Sequence, residues 1–290
     1  MDLVIGATGS LGGHIAHRLL KDGQPVRALV REGSDYSKLQ SGGAEVALGD
    51  LKNRESLDRA CVRADRIVAT ATAAARGGED QIASVDRDGY QDLIEAAVAA
   101  GVGQFVFVSA HGFAADSPVE LARAKAATEQ ALLASGLNYT ILRPVLFMEA
   151  WIGMILGAQL QTGPTVVVMG DPDAPLSFVT ASNVADLAIA VLGNPEAERK
   201  TIPLSAQTVS FRQLTDWITE VGGHSIALET VPPGTEIPGL PPVVLELWTW
   251  LAEGGMEPIE TVETAVKFGL ALESTRAFIE RTFGTPTVPQ

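Results

Sequence analysis

Three glycines spaced three residues apart stand near the start of the chain, in the stretch "GATGSLGGHI" at 6–15. The apolar-leaning run "DLVI" precedes them, and a stretch of helical periodicity follows. A glycine turn between a strand and a helix constrains the fold strongly, because it opens a βαβ unit. The spacing predicts that Gly6 allows a tight exit from the strand, that Gly9 leaves the backbone open to a ligand, and that Gly12 lets the helix pack against the sheet.

The first half of the chain alternates short apolar runs with longer helical stretches, a pattern typical of a parallel sheet with helical crossovers. The predicted strands lie at 3–5, 26–30, 45–48, 66–70, 105–108 and 139–142, and the predicted helices at 10–21, 54–61, 80–100 and 117–134. The last helix is predicted to begin with a capping box, in which Ser117 caps the end, Pro118 takes the first position and Glu120 follows three residues after the cap.

The glycine turn also leads into the N-terminal end of a helix, where backbone N–H groups lack partners and the helix dipole is positive. Such an end binds a phosphate or a diphosphate. Thr8 and Ser10 add hydroxyl donors, and Leu11 lies within the same loop. A turn that binds nothing is the alternative, but the strand before it and the helix after it favour a dinucleotide.

The end of the second predicted strand decides which dinucleotide fits. An acidic side chain there accepts a hydrogen bond from the ribose 2′-hydroxyl of NAD, whereas a basic one neutralises the 2′-phosphate of NADP. The sequence reads "VRALVREGS", with Arg31 at the selecting position and Glu32 beside it. We therefore predict that Arg31 binds a 2′-phosphate and that NADP is the cofactor. Glu32 with NAD is the less favoured alternative.

The alternation of short apolar runs with longer helical stretches changes after Arg143 and Pro144. We therefore expect an α/β fold: a Rossmann-type, doubly wound parallel sheet with a smaller, mostly α-helical C-terminal lobe. Residues 1–150 are predicted to form the NAD(P)-binding core and 151–290 a substrate lobe, with 165–204 returning to the core sheet.

Composition excludes several classes of function. The 290 residues carry a net charge of −14, and an acidic surface repels nucleic acid and anionic lipid, so neither is an expected partner. No apolar run reaches the roughly 18 residues of a membrane span, and the first residues do not resemble a signal peptide. Cys61 is the only cysteine and is expected in the core; the four histidines are scattered, so no metal site is predicted. We expect a cytoplasmic monomer or homodimer.

Five stretches of the sequence together resemble one known family. They are "GATGSLGGHI", the "LVRE" that closes the second strand, "GDL" at Gly49–Leu51, "FVFVSAHG" and "YTILRPVLFMEAW". The chain resembles the NmrA-like branch of the atypical short-chain dehydrogenase/reductase family over about residues 1–190. The resemblance implies a Rossmann core whose cofactor contacts lie at strand ends. It implies that Asp50 and Leu51 lie around the adenine, and that Thr70, Ala71 and Thr72 lie beside the cofactor after the fourth strand. It also implies that the segment Pro144–Phe147 lies near the nicotinamide, with Pro144 and Val145 binding the cofactor.

Ordinary short-chain dehydrogenases carry a tyrosine and a lysine four residues apart on one helix face, where the ammonium group lowers the pKa of the phenol. In the matching stretch "LARAK", Lys125 is present but Leu121 stands at the tyrosine position. This departure disfavours alcohol-dehydrogenase chemistry. Lys125 is predicted either to bind the nicotinamide ribose or to act as the proton source, as in the isoflavone-reductase-like relatives; an exposed helix charge is the alternative.

Further candidate residues follow the fifth and sixth predicted strands. Ser109 matches the serine position of the family and is predicted to orient a substrate carbonyl, whereas His111 is either a proton donor or a loop-stabilising histidine. The apolar side chains of Phe147, Met148 and Trp151 either wall a pocket for an aromatic or quinone-like substrate or form ordinary core.

These features favour an NADP(H)-dependent reductase that transfers a hydride to a small quinone- or enone-like acceptor. The reduced product of such an acceptor is a stabilised anion, so its formation does not require the missing tyrosine. A non-catalytic NADP-sensing regulatory protein is the main alternative, and an assembly factor or scaffold is a third.

Overall fold

The computed structural model describes residues 1–74 and 80–284. Its strands are β1 (Asp2–Ile5), β2 (Val26–Val30), β3 (Glu45–Leu48), β4 (Arg66–Ala69), β5 (Gln104–Val108), β6 (Tyr139–Pro144), β7 (Leu146–Phe147), β8 (Thr165–Met169), β9 (Leu176–Val179), β10 (Lys200–Leu204), β11 (Gln207–Val209) and β12 (Ala227–Val231). Its α-helices are α1 (Ser10–Lys21), α2 (Ser37–Ser41), α3 (Arg54–Cys61), α4 (Tyr90–Ala100), α5 (Glu120–Ala134), α6 (Gly157–Leu160), α7 (Ala181–Ala190), α8 (Phe211–Gly222), α9 (Pro242–Ala252), α10 (Val262–Lys267) and α11 (Thr275–Phe283). Two π-helical segments, Ala83–Gly89 and Glu149–Leu156, and one 3₁₀ turn, Pro195–Ala197, complete the helical structure of these residues.

The chain divides into two compact units. The first consists of Met1–Arg143 and Val184–Pro203, and the second of Pro144–Asn183 and the chain from Leu204 onward. The structure therefore differs from the predicted boundary between residues 150 and 151. It also differs from the predicted return of 165–204, because β8 and β9 pair within the second unit and only the later part of that segment rejoins the first.

A seven-stranded sheet forms the centre of the first unit, in the order β10-β6-β5-β4-β1-β2-β3. The pairs from β1 to β6 are parallel. Strands β1, β2 and β5 are buried along their whole length, as expected for parallel strands covered by helices on both faces. The predicted Rossmann-type α/β fold is thus confirmed, and each predicted strand is present with its ends shifted by at most two residues.

Buried charges in the sheet are paired. Asp2 lies inside β1 and accepts two hydrogen bonds from the guanidinium of Arg66 in β4, at 2.6 and 2.9 Å. Arg27 in β2 donates to Glu45 in β3 at 2.7 Å. Because a buried charge without a partner is strongly destabilising, these pairs allow charged residues within otherwise apolar strands.

The helix predicted at 80–100 begins later and in a different form. Asp80 lies outside it, and the segment Ala83–Gly89 is a π-helix that continues into α4. Gly89 packs directly on Leu51, because a Cβ at this glycine would lie 2.9 Å from the Leu51 Cβ. Wide helical turns of this kind are frequent at functional sites.

The predicted capping box at the start of α5 is wrong. The helix begins at Glu120, and Val119 rather than Ser117 occupies the capping position. The Ser117 hydroxyl instead accepts a hydrogen bond from the Val119 N–H at 3.3 Å. This local turn competes with helix capping for the same hydroxyl group.

Two side chains fix the returning segment of the first unit. Gln104, in β5, donates from its amide nitrogen to the Val191 carbonyl at 2.9 Å and accepts from the Gly193 N–H at 2.8 Å. Thr140, in β6, donates to the Ala197 carbonyl at 2.9 Å. These buried hydrogen bonds fix the segment between α7 and β10 against the sheet, and β10 then pairs with β6.

The second unit contains a three-stranded sheet, β11-β9-β7, a two-stranded parallel sheet, β12-β8, and helices. The Trp248 ring lies in its core, with ring centroids 5.7 Å from Trp151 and 5.4 Å from Phe211. Met148 is fully buried and Trp151 nearly so, which favours the ordinary-core alternative for both. Within residues 1–74 and 80–284, every helix is too short or too polar to span a bilayer.

The only cysteine provides a test of the core of the first unit. Cys61 is buried at the end of α3, and burial, helped by the charge of Asp58, raises the pKa of its thiol to about 11. At pH 8 about one molecule in a thousand then carries the thiolate. We expect a thiol reagent to modify the native protein at least about a hundredfold more slowly than the protein in guanidinium chloride. Equal rates in the two conditions would show that Cys61 is not in the core.

Candidate functional site

The glycine turn and the segment Thr70–Thr72 leave the sheet side by side. The turn follows β1 and the segment follows β4, and these two strands are neighbours. Chain connections run in opposite directions from this pair, with β2 on one side and β5 on the other. In open α/β sheets this switch point, at the carboxyl ends of the strands, is where ligands bind.

Gly6 brings the two loops into direct contact. Its φ of +86° is a left-handed conformation that favours glycine, and a Cβ here would lie 2.7 Å from Thr70 Oγ1 and 2.9 Å from the Ala71 nitrogen. The hydroxyl and the N–H of Thr70 both donate to the Ile5 carbonyl at 3.0 Å. Residues with side chains are therefore excluded at position 6.

Gly9 and Gly12 have different environments. Gly9 is exposed, has an extended backbone, caps α1 and donates its N–H to the Gly6 carbonyl at 2.9 Å. Gly12 is buried, and a Cβ there would lie 2.2 Å from the Gly6 carbonyl oxygen. Gly12 thus sets how closely α1 approaches the turn, whereas Gly9 stays open to solvent.

The N-terminal end of α1 suits an anion. The first turn holds no acidic residue, and no side chain among the described residues caps it. Thr8 and Ser10 are exposed beside this end, and Leu11 is partly buried. The N–H groups of the first helical turn have no intrahelical acceptors, so they are directed at whatever binds there.

Six residues singled out from the sequence line one pocket. They are Gly6, Thr8, Arg31, Asp50, Leu51 and Ala71. Ile5, Leu29 and Val85 supply apolar surface, and Gly49 and Asp80 complete the wall. A concave, mostly apolar surface with a few polar groups is the usual form of a small-molecule site.

The charged edge of this pocket contains two residues that the sequence did not reveal. The guanidinium of Arg31 forms an ion pair with Asp80, and the Lys52 ammonium donates to the same carboxylate at 2.6 Å. The hydrogen bond from Lys52, reinforced by the charge of Arg31, lowers the pKa of Asp80. Glu32, the alternative selecting residue, is exposed beside Arg31.

Side-chain hydrogen bonds fix the backbone of the segment after β4. Tyr90 donates its hydroxyl hydrogen to the Ala71 carbonyl at 2.7 Å. The Asp86 carboxylate, on the π-helical segment, accepts from the Ala73 N–H at 2.8 Å, and the Thr72 hydroxyl accepts from the Ala74 N–H at 3.2 Å. Thr70, Ala71 and Thr72 therefore present a fixed backbone at the switch point.

Lys125 is buried, which excludes the alternative of an exposed helix charge. Its ammonium donates to the Val108 carbonyl at 3.0 Å and lies 5.0 Å from the centroid of the Phe107 ring. Burial lowers the pKa of Lys125, and the charges of Asp86 and Glu129 oppose this effect. A lysine kept in such surroundings is a candidate functional group.

The other candidates near β5 and β6 differ in exposure. Ser109 is buried directly after β5, and its hydroxyl has no hydrogen-bond partner among the described residues. His111 lies on the next turn and is partly exposed. Pro144 ends β6, and Val145 donates its N–H to the Leu204 carbonyl at 3.1 Å. An unpartnered buried hydroxyl requires an explanation, and a bound ligand supplies one.

Within the part of the chain that the structure describes, no three His, Cys, Asp or Glu side chains come close enough to hold a metal ion. The sheet order, the glycine turn at the switch point and the pocket beside it define a Rossmann-type α/β protein. The sequence model of the NmrA-like family matches residues 3–249, and the chain belongs to this family. The resemblance seen in the motifs is thereby confirmed.

Three known proteins illustrate the similarity. The chain is 27% identical to the NAD(P)H azoreductase of Xenophilus azovorans over 78% of this chain and 75% of that protein. It is 29% identical to the photosystem II assembly factor Ycf39 of Synechocystis sp. over 79% of this chain and 70% of that protein. The structure of the NADPH-dependent quinone oxidoreductase QOR2 from Escherichia coli, complexed with NADPH, matches with a TM-score of 0.81 at 21% identity, over 98% of this chain and 100% of that chain. At this identity, the structural match establishes the shared fold.

Two neighbouring glycines of α1 test the close approach of the helix to the turn. We expect Gly12→Ala to lower the free energy of unfolding by about 2 kcal/mol or more, because its Cβ overlaps the Gly6 carbonyl. Gly13→Ala is the matched control, since its Cβ would lie at an ordinary 3.4 Å from the Ala7 carbonyl oxygen. Helix propensity predicts a gain of at most about 1 kcal/mol for it. Urea denaturation measures both, and equal effects would contradict the packing role of Gly12.

Proposed function

We propose that the protein is an NADP(H)-dependent reductase that transfers a hydride to a small acceptor of quinone or enone type. The observation that carries this proposal is the pocket at the switch point, which has a cationic edge. The N-terminal end of α1, which follows the pocket-lining residues Gly6 and Thr8, suits an anion. Membership of the NmrA-like family supports it. So do the names of two of its relatives, an azoreductase and a quinone oxidoreductase.

The residues present fit such a cofactor. The first turn of α1, with Gly9 and the hydroxyls of Thr8 and Ser10, offers donors to a diphosphate. Leu51 and Asp50 offer an apolar face and an acceptor to the adenine, and Arg31 offers a cation to the 2′-phosphate. When bound, NADPH supplies the hydride.

The proposed nicotinamide end involves Lys125, Ser109 and the segment Thr70–Thr72, all of which belong to the first unit. Ser109 has a buried hydroxyl that is able to donate to an acceptor carbonyl. The buried ammonium of Lys125 stabilises negative charge that develops on the acceptor or donates a proton to it, because low-dielectric surroundings strengthen its field.

The proposed acceptor class follows from the residue one helical turn before Lys125, which is Leu121. Leu121 is buried and apolar, so this position supplies no phenol to protonate an alkoxide. Reduction of a quinone or an enone forms a delocalised anion that water or the partly exposed His111 is able to protonate. A simple ketone would form a more basic alkoxide and would be a poor acceptor here.

A non-catalytic role is the second candidate. The similarity to Ycf39, which is named as an assembly factor, and the leucine at position 121 both favour a protein that binds NADP(H) without turnover. Such a protein would use the coenzyme as a signal that changes its contacts with a partner.

Coenzyme oxidation tests the two candidates against each other. The purified chain is titrated calorimetrically with NADPH and NADH, and NADPH oxidation is then followed with quinones, enones and azo compounds. We expect tighter binding of NADPH than of NADH and turnover with at least one acceptor class. Binding without any turnover would favour the non-catalytic role, and the absence of binding would contradict both.

Lys125→Met tests the proposed nicotinamide end. We expect kcat to fall by at least about tenfold, because methionine fills the buried space but carries no charge. Lys38→Met, at an exposed lysine of α2, is the matched control and should leave kcat unchanged. Thermal unfolding establishes that both variants are folded.

The pH profile of kcat provides a second check on Lys125. If its protonated form is required, the rate stays level at low pH and falls as the pH rises through the pKa of Lys125. Burial lowers that pKa, so the fall should occur below the ordinary lysine value of 10.5. The Lys125→Met variant should lack this decline, and a decline that persists in it would assign the titration to another group.

A further inference from the structure

Three charged side chains from three different loops meet at the edge of the pocket. Arg31 follows β2, Lys52 follows β3, and Asp80 precedes the π-helical segment. The Asp80 carboxylate is nearly buried, with 9% of its side chain exposed, and each of its oxygens accepts from one of the two cations. The side chains of Arg31 and Lys52 are 40% and 31% exposed, so both cations reach solvent beside the pocket.

Local structure fixes the position of Lys52. Its backbone N–H donates to Asp50 Oδ1 at 2.9 Å, and the Asp50 carbonyl accepts from the Asn53 N–H at 3.0 Å. This turn begins at Asp50, which lines the pocket, and it directs the Lys52 side chain to Asp80. The only other carboxylate among the residues lining the pocket, that of Asp50, accepts this backbone N–H through one of its oxygens.

The three side chains together carry two positive charges and one negative charge. A phosphate monoester carries a charge of about −1.5 to −2 near neutral pH and three acceptor oxygens, whereas a carboxylate carries −1 and two oxygens. Arginine binds such a group through its planar fork and lysine binds it as a point charge. A phosphate therefore satisfies the Arg31–Lys52 pair better than Asp80 does.

We propose that Lys52 acts with Arg31 as a second cation for the 2′-phosphate of NADP(H), and that Asp80 is an anion that competes with this phosphate for the cation pair. The inference rests on the proposed NADP(H) binding but concerns how the coenzyme is discriminated. Asp80 opposes the preference for NADPH in two ways. It repels the 2′-phosphate, and it is able to accept a hydrogen bond from the ribose 2′-hydroxyl of NADH.

Calorimetric titration of the full chain tests this proposal. The probes are adenosine 2′,5′-bisphosphate and adenosine 5′-monophosphate, which differ only in the 2′-phosphate, together with NADPH and NADH. The variants are Lys52→Met and Asp80→Asn, with Arg31→Ala as the reference for loss of the first cation. Lys38→Met is the matched control, because it removes one exposed lysine outside the pocket and changes the net charge equally.

For Lys52→Met we expect the affinity for NADPH and for the bisphosphate to fall by about tenfold, with the affinities for NADH and the monophosphate within about twofold of the original. Arg31→Ala should show the same selective loss, and Lys38→Met no loss. Asp80→Asn should shift the ratio of NADPH to NADH affinity in the opposite direction, towards NADPH.

Two results would overturn the inference while leaving the proposed function intact. The first is wild-type binding of NADPH with no selective change in Lys52→Met. The second is a loss of NADPH affinity in Asp80→Asn, which would make the carboxylate a support for the cations rather than their competing partner. If the wild-type chain binds neither NADPH nor the bisphosphate, both the inference and the proposed function fail.

Discussion

The close approach of α1 to the turn after β1 is the contact on which the rest of the site depends. It is possible only because Gly12 has no side chain to meet the Gly6 carbonyl and Gly6 has none to meet Thr70. The contact places the end of α1 beside the loop after β4 and directs the first-turn N–H groups towards the switch point. The cationic edge and the apolar pocket wall are formed by residues in or after β1, β2, β3 and β4, and the buried lysine lies on α5, the helix after β5.

Local patterns were sufficient to predict most of the first unit. The alternation of apolar runs located the strands from β1 to β6 within two residues, because parallel strands buried on both faces leave little freedom in composition. The predicted start of α5 was wrong because the Ser117 hydroxyl is able to accept a hydrogen bond either as a helix cap or from the Val119 N–H in a local turn. The sequence alone does not show which of the two bonds forms. The division of the chain into two units differs from the prediction because it depends on contacts between residues far apart in the sequence, such as those of Gln104 with Val191 and Gly193.

The candidate site was predictable to the extent that it consists of motifs. Part of the glycine turn, Arg31, the residues after β3 and Ala71 after β4 line one pocket, since their motifs occur at strand ends. The place of Asp80 in the site could not be predicted from the sequence, because Asp80 pairs with Arg31 and Lys52 only when three separate loops come together in the fold. The burial of Lys125 could likewise not be predicted from "LARAK", because this local sequence is the same whether the lysine side chain is buried or exposed to solvent. Tertiary packing decides both cases.

The late return of β10 to the sheet has a consequence for biosynthesis. Strand β6 ends at Pro144, but its neighbour on the outer side is not synthesised until Leu204 has been added. A nascent chain emerging from the ribosome therefore carries β6 as an unprotected edge, with free backbone donors and acceptors, while some sixty further residues are translated. Aggregation during synthesis, rather than instability of the finished molecule, is the hazard that this topology creates, and it falls on the strand that leads into the second unit.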